Sequence, residues 1–318
     1  MLNNAIIKKM KQYTNTILMI EPVDFCYNIE TSINNYYQKK SQNIVRSQIQ
    51  KLALKEFHFF VNTLRNAGVN VITFKDTNTP HTPDSIFPNN WISMHDDFVI
   101  FYPMCAENRR GERRMDIVNK LSNDFNFDVK TFFDWSKYEK DDIYLEGTGS
   151  MVLDRVHKIC YAAESERTNI YLLNQWCNKF GYELCYFNAF QSVNGERKLI
   201  YHTNVMMSVA DSYAIVCLDA VDDIQERKNL ISLLCRSGKK IIEISEEQKD
   251  CFAGNMLQVC GDDVYLVMSE RAKNSLSDNQ INLIKKFNKI LPIPLDIIET
   301  NGGGSVRCMM AEVFLKKT

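Results

Sequence analysis

Apolar segments recur along the chain in a fixed order, and this order predicts a repeated structural unit. Each unit has a short apolar stretch, a polar turn, a second apolar stretch, a segment with apolar positions at helical spacing, and a third apolar stretch. The pattern predicts two strands joined by a tight turn, then a helix, then a third strand. In the first complete unit these segments are residues 91–94, 98–102, 111–125 and 127–132. Three further units of the same order start at about residues 150, 205 and 256; the first of these has its helix at about residues 168–180 and its third strand at 183–187, and the last has its third strand at 293–295.

A fifth unit is divided between the two ends of the chain. Its predicted segments are, in order, residues 306–315, 16–20, 47–67 and 69–74. If the last strand of the chain pairs with the first, a ring closes and no sheet edge stays open. We therefore expect an α/β fold, a five-bladed pseudo-symmetric α/β propeller of ββαβ modules that forms a single domain over residues 1–318. The commoner alternative is an alternating α/β chain with a mostly parallel sheet, but the repeated hairpins favour the ring.

Polar side chains stand just before, or early in, the first strand of each predicted module. These side chains are Asn89, Asn90, Glu146, His202, Asn255 and Cys308. In a ring of similar modules the starts of the first strands share one end of the central axis. We therefore expect these residues, although distant in sequence, to converge on one pocket.

Composition and charge narrow the class of partner. Lys and Arg number 38 against 39 Asp and Glu, which gives a formal net charge of -1. The sequence has neither a long run of one charge nor arginines interleaved with aromatic residues, so we do not expect a nucleic-acid-binding surface. The apolar stretch at residues 17–20 is too short for a signal peptide or a membrane span. We expect a small-molecule partner.

The cysteines indicate a reducing compartment. All ten are scattered, without CxxC pairs or the Cys/His spacing of a zinc site. We therefore expect reduced thiols, a cytoplasmic location, and neither a metal nor a disulfide framework. Cys308 differs from the other nine because it follows the glycine run of residues 302–304. Glycines let the backbone approach a ligand closely, so Cys308 is predicted to be a nucleophile rather than core filler.

Five sequence strings carry a family resemblance. LEGTGS at residues 145–150, YHTN at 201–204, DSIFPNN at 84–90, SERTN at 165–169 and GGGSVRCM at 302–309 resemble the guanidine-modifying superfamily. That superfamily comprises arginine deiminases, dimethylarginine dimethylaminohydrolases and amidinotransferases, and the resemblance is strongest to bacterial citrulline-utilisation hydrolases. It extends from about residue 19 to residue 314. The resemblance implies a five-bladed α/β propeller, known as a pentein, with a catalytic site that needs no cofactor.

The chemistry of that superfamily requires the residue types found here. A guanidinium or ureido carbon is resonance-stabilised, so its attack at neutral pH suits a thiolate, and Cys308 is the expected nucleophile. The amine leaving group needs a proton, which an imidazole can supply before it deprotonates water, and we assign this role to His202. Glu146 would hold the imidazolium or accept hydrogen bonds from substrate N–H groups.

The substrate prediction depends on asparagines. Asn90 and Asn204, with Asn89 beside them, stand where deiminases place carboxylates around a cationic guanidinium. Because an amide can donate to a carbonyl oxygen, these residues favour the neutral ureido group of citrulline, which would yield ornithine, carbon dioxide and ammonia. Asp84 is an acid in the same string, so arginine or a methylated arginine stays open as the substrate.

Other roles follow from the resemblance or stay open. Arg167 matches an arginine that the family uses to bind the substrate carboxylate, which suits its planar fork. Arg109 is a weaker substrate-binding candidate because a charge run that opens a helix is usually solvated, and Arg155 and Arg307 have no assigned role. Two alternatives to a hydrolase are an amidinotransferase, which passes the same intermediate to an amine, and a catalytically silent propeller that binds amino acids.

Overall fold

The computed structural model describes residues 11–318, and over this range the strands form five three-stranded sheets and one separate hairpin. The first ten residues of the predicted domain lie outside the described residues. The strands are, in chain order, β1 (Thr16–Glu21), β2 (Asn70–Lys75), β3 (Ile92–Met94), β4 (Phe98–Phe101), β5 (Thr131–Asp134), β6 (Val152–Asp154), β7 (Ile159–Ala163), β8 (Glu183–Phe187), β9 (Phe190–Val193), β10 (Glu196–Leu199), β11 (Met207–Val209), β12 (Tyr213–Val216), β13 (Lys240–Glu243), β14 (Leu257–Cys260), β15 (Val264–Ser269), β16 (Lys289–Ile293) and β17 (Ala311–Glu312).

The helices lie between the strands. They are α1 (Arg46–Asn66), α2 (Glu107–Arg110), α3 (Met115–Asn123), α4 (Gly147–Ser150), α5 (Ile170–Phe180), α6 (Ile224–Arg236), α7 (Glu246–Asp250), α8 (Glu270–Ser275), α9 (Asp278–Lys285) and α10 (Asp296–Gly302). Several begin at a polar side chain that accepts backbone N–H groups of the first turn, as Asn169 does for α5 and Asp223 for α6. Short 3-10 turns at Pro88–Asn90 and Thr203–Val205 precede β3 and β11.

Each three-stranded sheet repeats one pairing. Its middle strand pairs antiparallel with the strand before it and parallel with the strand after the helix, as β4 does with β3 and β5. The fifth sheet has the order β17-β1-β2, so the two ends of the chain share a sheet as predicted. The strand–strand–helix–strand order of the sequence units is therefore present in the structure.

Three strand boundaries differ from the prediction. The third strand of the first complete unit begins at Thr131, because Phe127 instead bridges Lys317. The third strand of the fourth unit is β16, which starts at Lys289 to pair along most of β15, rather than at residue 293. The strand expected over residues 306–315 shortens to β17, because residues 306–309 form a turn whose Cys308 N–H donates to the Ser305 carbonyl. The hairpin of β9 and β10 is an addition that the repeat did not predict.

Apolar side chains fill the space between neighbouring sheets. Along β4, Val99 packs with Leu18 of the terminal sheet, whereas Ile100 faces the other way and packs with Cys160 of the next sheet. Both faces of such a strand are buried, which explains why its sequence is a continuous apolar run rather than an alternating one. All ten cysteines are free. Within residues 11–318 no helix is both long enough and apolar enough to span a membrane.

Candidate active site

Glycines place the Cys308 turn against the rest of the protein. A Cβ on Gly302 would come within 2.7 Å of the Phe87 ring, and one on Gly304 within 2.9 Å of the same ring. Gly303 has φ 63, a left-handed conformation that glycine adopts without cost. The run therefore allows a close approach to Phe87 and a sharp reversal at the end of α10, and it leaves the Cys308 side chain 3% exposed.

His202 and Glu146 form a buried pair. The His202 Nε2 lies 2.7 Å from the Glu146 Oε2, and the second oxygen of Glu146 accepts the Cys105 N–H at 3.0 Å. Arg167 approaches the same carboxylate at 3.5 Å. Glu146 immediately precedes α4, and His202 immediately precedes the 3-10 turn Thr203–Val205. The structure thus brings together two of the three side chains that the sequence predicted to be catalytic.

The pKa values of His202, Glu146 and Cys308 are all shifted from their ordinary values. Burial lowers the pKa of His202 to about 4, although the Glu146 carboxylate acts in the opposite direction. Burial would raise the pKa of Glu146, but Arg167 and the hydrogen bond to His202 outweigh it and hold that pKa well below its usual range. Burial raises the pKa of the Cys308 thiol. These shifts favour a neutral imidazole, a carboxylate and a protonated thiol at neutral pH.

One cavity joins the thiol to the imidazole. Cys308 and His202 both line one small cavity. Four of the residues predicted to bind substrate share its wall, namely Asp84, Asn90, Arg109 and Arg167. Sequence reasoning missed several further lining residues, which are Thr31, Asn35, Phe87, Tyr201, Gly302 and Gly304. Tyr201 and the glycines lie inside the matched strings, whereas Thr31 and Asn35 lie in a segment between β1 and α1 that has no repeating pattern.

Arg109 is buried, so the expectation that its charge run is solvated is wrong for this residue. Its side chain is 2% exposed and binds both oxygens of Glu112, at 2.8 and 2.9 Å. Its Nη1 also donates to the Asn90 Oδ1 at 2.9 Å. A charge this deep in the protein needs such a partner, and the partner is Glu112, only three residues away.

The hydrogen bond from Arg109 determines which way the Asn90 amide faces. Arginine has no acceptor, so the atom it touches must be the oxygen, and the Asn90 Nδ2 is left free. Within the described part of the chain, that Nδ2 and the Asp84 Oδ1 are buried without a hydrogen-bond partner. The other oxygen of Asp84 accepts from Asn28 and Thr31. The cavity wall therefore carries one unsatisfied donor and one unsatisfied acceptor.

Arg167 is held at the wall by several contacts. Its Nη2 donates to the Thr31 carbonyl at 3.0 Å, its Nε donates to the Asn34 Oδ1 at 3.0 Å, and its guanidinium lies 4.9 Å from the Tyr201 ring centre. The segment that carries Thr31 and Asn34 thus touches the site through Arg167. A guanidinium held from several sides is fixed in position before a substrate arrives.

Three predicted substrate-binding residues lie off the cavity wall. Asn204 and Asn255 are buried behind it, with their Nδ2 atoms 3.7 and 3.3 Å from the Cys308 Sγ. Asn89 is fully buried, and its backbone carbonyl accepts the Thr148 hydroxyl. The two amides next to the thiol contact the expected nucleophile rather than the space in front of it.

The two arginines without an assigned role share one carboxylate. Arg307 and Arg155 donate to the Glu312 Oε2 at 2.9 and 3.3 Å, and all three side chains are buried. Because Arg307 precedes Cys308 and Glu312 belongs to β17, this group ties the turn of Cys308 to the last strand. Within residues 11–318, no group of three His, Cys, Asp or Glu side chains could hold a metal ion.

His202→Asn should make the folded protein less sensitive to acid. The folded-state pKa of His202, about 4, lies below the ordinary 6.5. Between these values the unfolded chain binds a proton that the folded chain does not, so stability falls as the pH falls through this window. We expect the melting temperature of the wild type to decline more steeply over this window than that of the variant. The control variant is His157→Asn, which removes a half-exposed histidine and should leave the slope of the wild type unchanged. Equal slopes for the wild type and His202→Asn would contradict the assignment.

Residues 21–315 match the model of a protein family described as N,N dimethylarginine dimethylhydrolase, eukaryotic. No curated protein matches the sequence.

Solved structures share the fold at low sequence identity. The N-terminal domain of ArgZ, an arginine dihydrolase from the ornithine-ammonia cycle in cyanobacteria, bound to its substrate, superposes with a TM-score of 0.69 and 18% identity over 94% of this chain and 99% of that one. AgrE bound to L-arginine has a TM-score of 0.70 and 18% identity over 94% of this chain, which is 40% of the AgrE chain. A cysteine-to-serine mutant of the DDAH from Pseudomonas aeruginosa, complexed with citrulline, has a TM-score of 0.61 and 16% identity over 93% and 98% of the two chains.

Proposed function

Because this chain belongs to the N,N dimethylarginine dimethylhydrolase family, whose members are hydrolases acting on carbon–nitrogen bonds of guanidino compounds, we propose that it hydrolyses the ureido group of citrulline. The products are ornithine, carbon dioxide and ammonia. Cys308 is the nucleophile, His202 the acid and base, and Glu146 the carboxylate that orients the imidazole. The observation that carries the proposal is that one cavity is lined both by Asn90, which has an unsatisfied donor, and by Asp84, which has an unsatisfied acceptor.

The wall of the cavity complements a ureido group. A ureido group has one acceptor oxygen and several N–H donors, whereas a guanidinium consists of donors alone. The Asn90 Nδ2 suits the oxygen and the Asp84 Oδ1 suits an N–H. Arg167 takes the substrate α-carboxylate, since its contact with Glu146 is long, at 3.5 Å, whereas the Arg109 guanidinium is already occupied by two short bonds to Glu112.

The roles of these groups predict a reaction in two stages. The Cys308 thiol passes its proton to the neutral His202 imidazole as the sulfur attacks the ureido carbon, and the carbonyl oxygen takes up negative charge near the Asn90 Nδ2. The carbon–nitrogen bond to the ornithine side breaks as His202 protonates the leaving amine, and a carbamoyl group stays on the sulfur. His202 then takes a proton from water, which attacks the carbamoyl carbon and releases the thiolate, and the imidazolium returns that proton to the sulfur. The carbamic acid formed decomposes to carbon dioxide and ammonia.

The residues of the proposed site come from distant parts of the chain, so the site requires that these parts belong to one domain. We propose that the five sheets close a ring over residues 1–318, a five-bladed propeller in which the site lies at one end of the axis. Shared apolar clusters between successive sheets support this, including one in which Ile17 and Val71 of the terminal sheet pack with Val259 of the fourth unit. Cys308 and His202, more than a hundred residues apart in the chain, both line one cavity of this ring.

Arginine is the second candidate substrate, and one observation favours it. Asp84 is a buried carboxylate on the cavity wall with a free oxygen, which suits a cationic guanidinium. ArgZ is described as an arginine dihydrolase, and AgrE binds L-arginine. Asp84 lies only 4.0 Å from the Arg109 Nε, so part of its charge is already offset.

Incubation with citrulline and, separately, with arginine tests the proposal. We expect ornithine, ammonia and carbon dioxide from citrulline, measured by chromatography of the amino acids and an ammonia assay. Citrulline formed from arginine, without ornithine from citrulline, would overturn the substrate assignment but leave the three catalytic residues in place. No turnover of either compound, together with no labelling of Cys308 by 2-chloroacetamidine, would contradict a hydrolase.

Gly149→Ala should lower citrulline turnover by about 100-fold without unfolding the protein, because positioning errors near one ångström cost this much. A Cβ on Gly149 would lie 2.3 Å from the Asn90 Nδ2 and 2.9 Å from the His202 ring, so both side chains must move. The measurement is the initial rate of ornithine release, with the melting temperature recorded alongside. Gly195→Ala in the β9–β10 turn is the control for the rate, because a Cβ there meets nothing within 4 Å; its φ of 83 strains an alanine, so its melting temperature can fall while its rate stays unchanged. Equal rates for the two variants would exclude tight packing at Gly149 as a requirement.

A further inference from the structure

Asn255 is held in one position behind Cys308. Its side chain is 1% exposed, and the preceding Gly254 lies so close to the turn Thr203–Val205 that a Cβ would come within 2.2 Å of the Val205 carbonyl oxygen. Only glycine permits this approach. The segment before β14 is therefore pressed against the turn that follows His202, with the Asn255 amide pointing to Cys308.

The orientation of that amide is determined by its hydrogen bonds. The Asn255 Oδ1 accepts the Arg307 N–H at 3.1 Å, and the Nδ2 donates to the Asn204 carbonyl at 3.0 Å. The reverse orientation would place the amide oxygen against a carbonyl and the amide NH₂ against an N–H, so it is excluded. The second hydrogen of the Nδ2 is then directed to the Cys308 Sγ, 3.3 Å away, and the Oδ1 lies 3.6 Å from the same sulfur, where it can accept the S–H of the protonated thiol.

We propose that Asn255 stabilises and orients the Cys308 thiolate and does not bind substrate. An N–H donor favours an anionic sulfur over a neutral thiol and holds the sulfur in one rotamer. Asn204, whose Nδ2 is 3.7 Å from the same sulfur, contributes a weaker contact. The inference rests on the proposed role of Cys308 as nucleophile.

Two observations separate this role from substrate binding. Asn255 is not among the residues that line the cavity, and its amide oxygen and both amide hydrogens are already engaged by Arg307, Asn204 and Cys308. Charged and titratable groups around the sulfur are Arg307 in its own turn and the cavity residues Asp84, Arg109, Arg167, Tyr201 and His202. These groups are unchanged in an Asn255 variant, so a shift in thiol ionisation reports on the amide alone.

The test is the rate of Cys308 alkylation by iodoacetamide as a function of pH, followed by mass spectrometry of the peptide that contains it. In Asn255→Ala the midpoint should rise by about one pH unit, the effect of losing one hydrogen bond to a charged group. In Asn255→Asp, which keeps the side-chain shape, it should rise further because a carboxylate faces the sulfur. With citrulline, kcat should fall while KM stays within about twofold, since only the chemical step is affected.

The matched control is Asn288→Ala. Asn288 is another buried amide with several hydrogen bonds, but it contacts Tyr213 and Gln258, away from the sulfur. Its removal should leave the alkylation midpoint unchanged. An unchanged midpoint in both Asn255 variants, or a raised KM with an unchanged midpoint, would overturn the inference. Alkylation by iodoacetamide needs no substrate. If the wild type did not turn over citrulline, the proposed function would be wrong, but the alkylation midpoints would still test the role of Asn255.

Discussion

Cys308→Ser should reduce ornithine release from citrulline by about 10⁴-fold or more, the scale of loss when a covalent nucleophile is removed. A serine hydroxyl in the same place loses its proton far less readily than a thiol, and the site has no strong base, because burial lowers the pKa of His202 to about 4. The fold should survive, since serine is close to cysteine in size. The measurement is single-turnover ornithine formation with enzyme in excess.

Cys235→Ser is the matched control for this change. Cys235 is the exposed cysteine of α6, and it lies away from the cavity lining. Its variant should retain wild-type turnover. If Cys308→Ser kept more than about a tenth of the wild-type rate, a covalent intermediate on this sulfur would be excluded.

Asn90→Asp should lower citrulline turnover by about 100- to 1000-fold, the usual cost of losing one donor to a developing oxyanion. The substitution replaces the free Nδ2 by an oxygen, which repels the substrate carbonyl. It also adds a negative charge beside the cavity, so binding of the cationic arginine should improve relative to citrulline. The measurement is kcat/KM for both amino acids in wild type and variant.

Asn169→Asp serves as the control for the added charge. Asn169 accepts N–H groups at the start of α5, and aspartate caps a helix equally well. We expect no change in the ratio of the two kcat/KM values. If Asn90→Asp left that ratio unchanged as well, the donor of Asn90 would not select the substrate, and the proposal of citrulline would lose its main support.

Local patterns of the sequence predicted much of the secondary structure. The strand of residues 183–187 and the helix over residues 168–180 were expected and occur as β8 and α5, because apolar spacing and an asparagine cap act within a few residues. The predictions are wrong where a pairing partner distant in sequence determines the local structure. Phe127 looks like part of a strand, but it pairs with Lys317, and the run after Ser305 turns instead of extending.

The candidate site was predicted in its chemistry but not in its arrangement. The residue types at Cys308, His202 and Glu146 could be recognised from their motifs, because each motif is local. The residues that line the cavity could not all be recognised in this way, since Thr31 and Asn35 come from a segment without a repeating sequence pattern. The burial of Arg109 depends on Glu112 and Asn90, and no local signal distinguishes it from a solvated arginine.

The sequence alone therefore determined the repeated unit, the reactive groups and the neutral character of the asparagines. Tertiary structure decided which of those asparagines faces the cavity. Asn90 lies on its wall with a free donor, whereas Asn204 and Asn255 lie behind it against the Cys308 sulfur. The physical reason is that an amide can rotate to donate in either direction, and its direction depends on partners such as Arg109 and the Arg307 N–H that only the folded chain brings within hydrogen-bond distance.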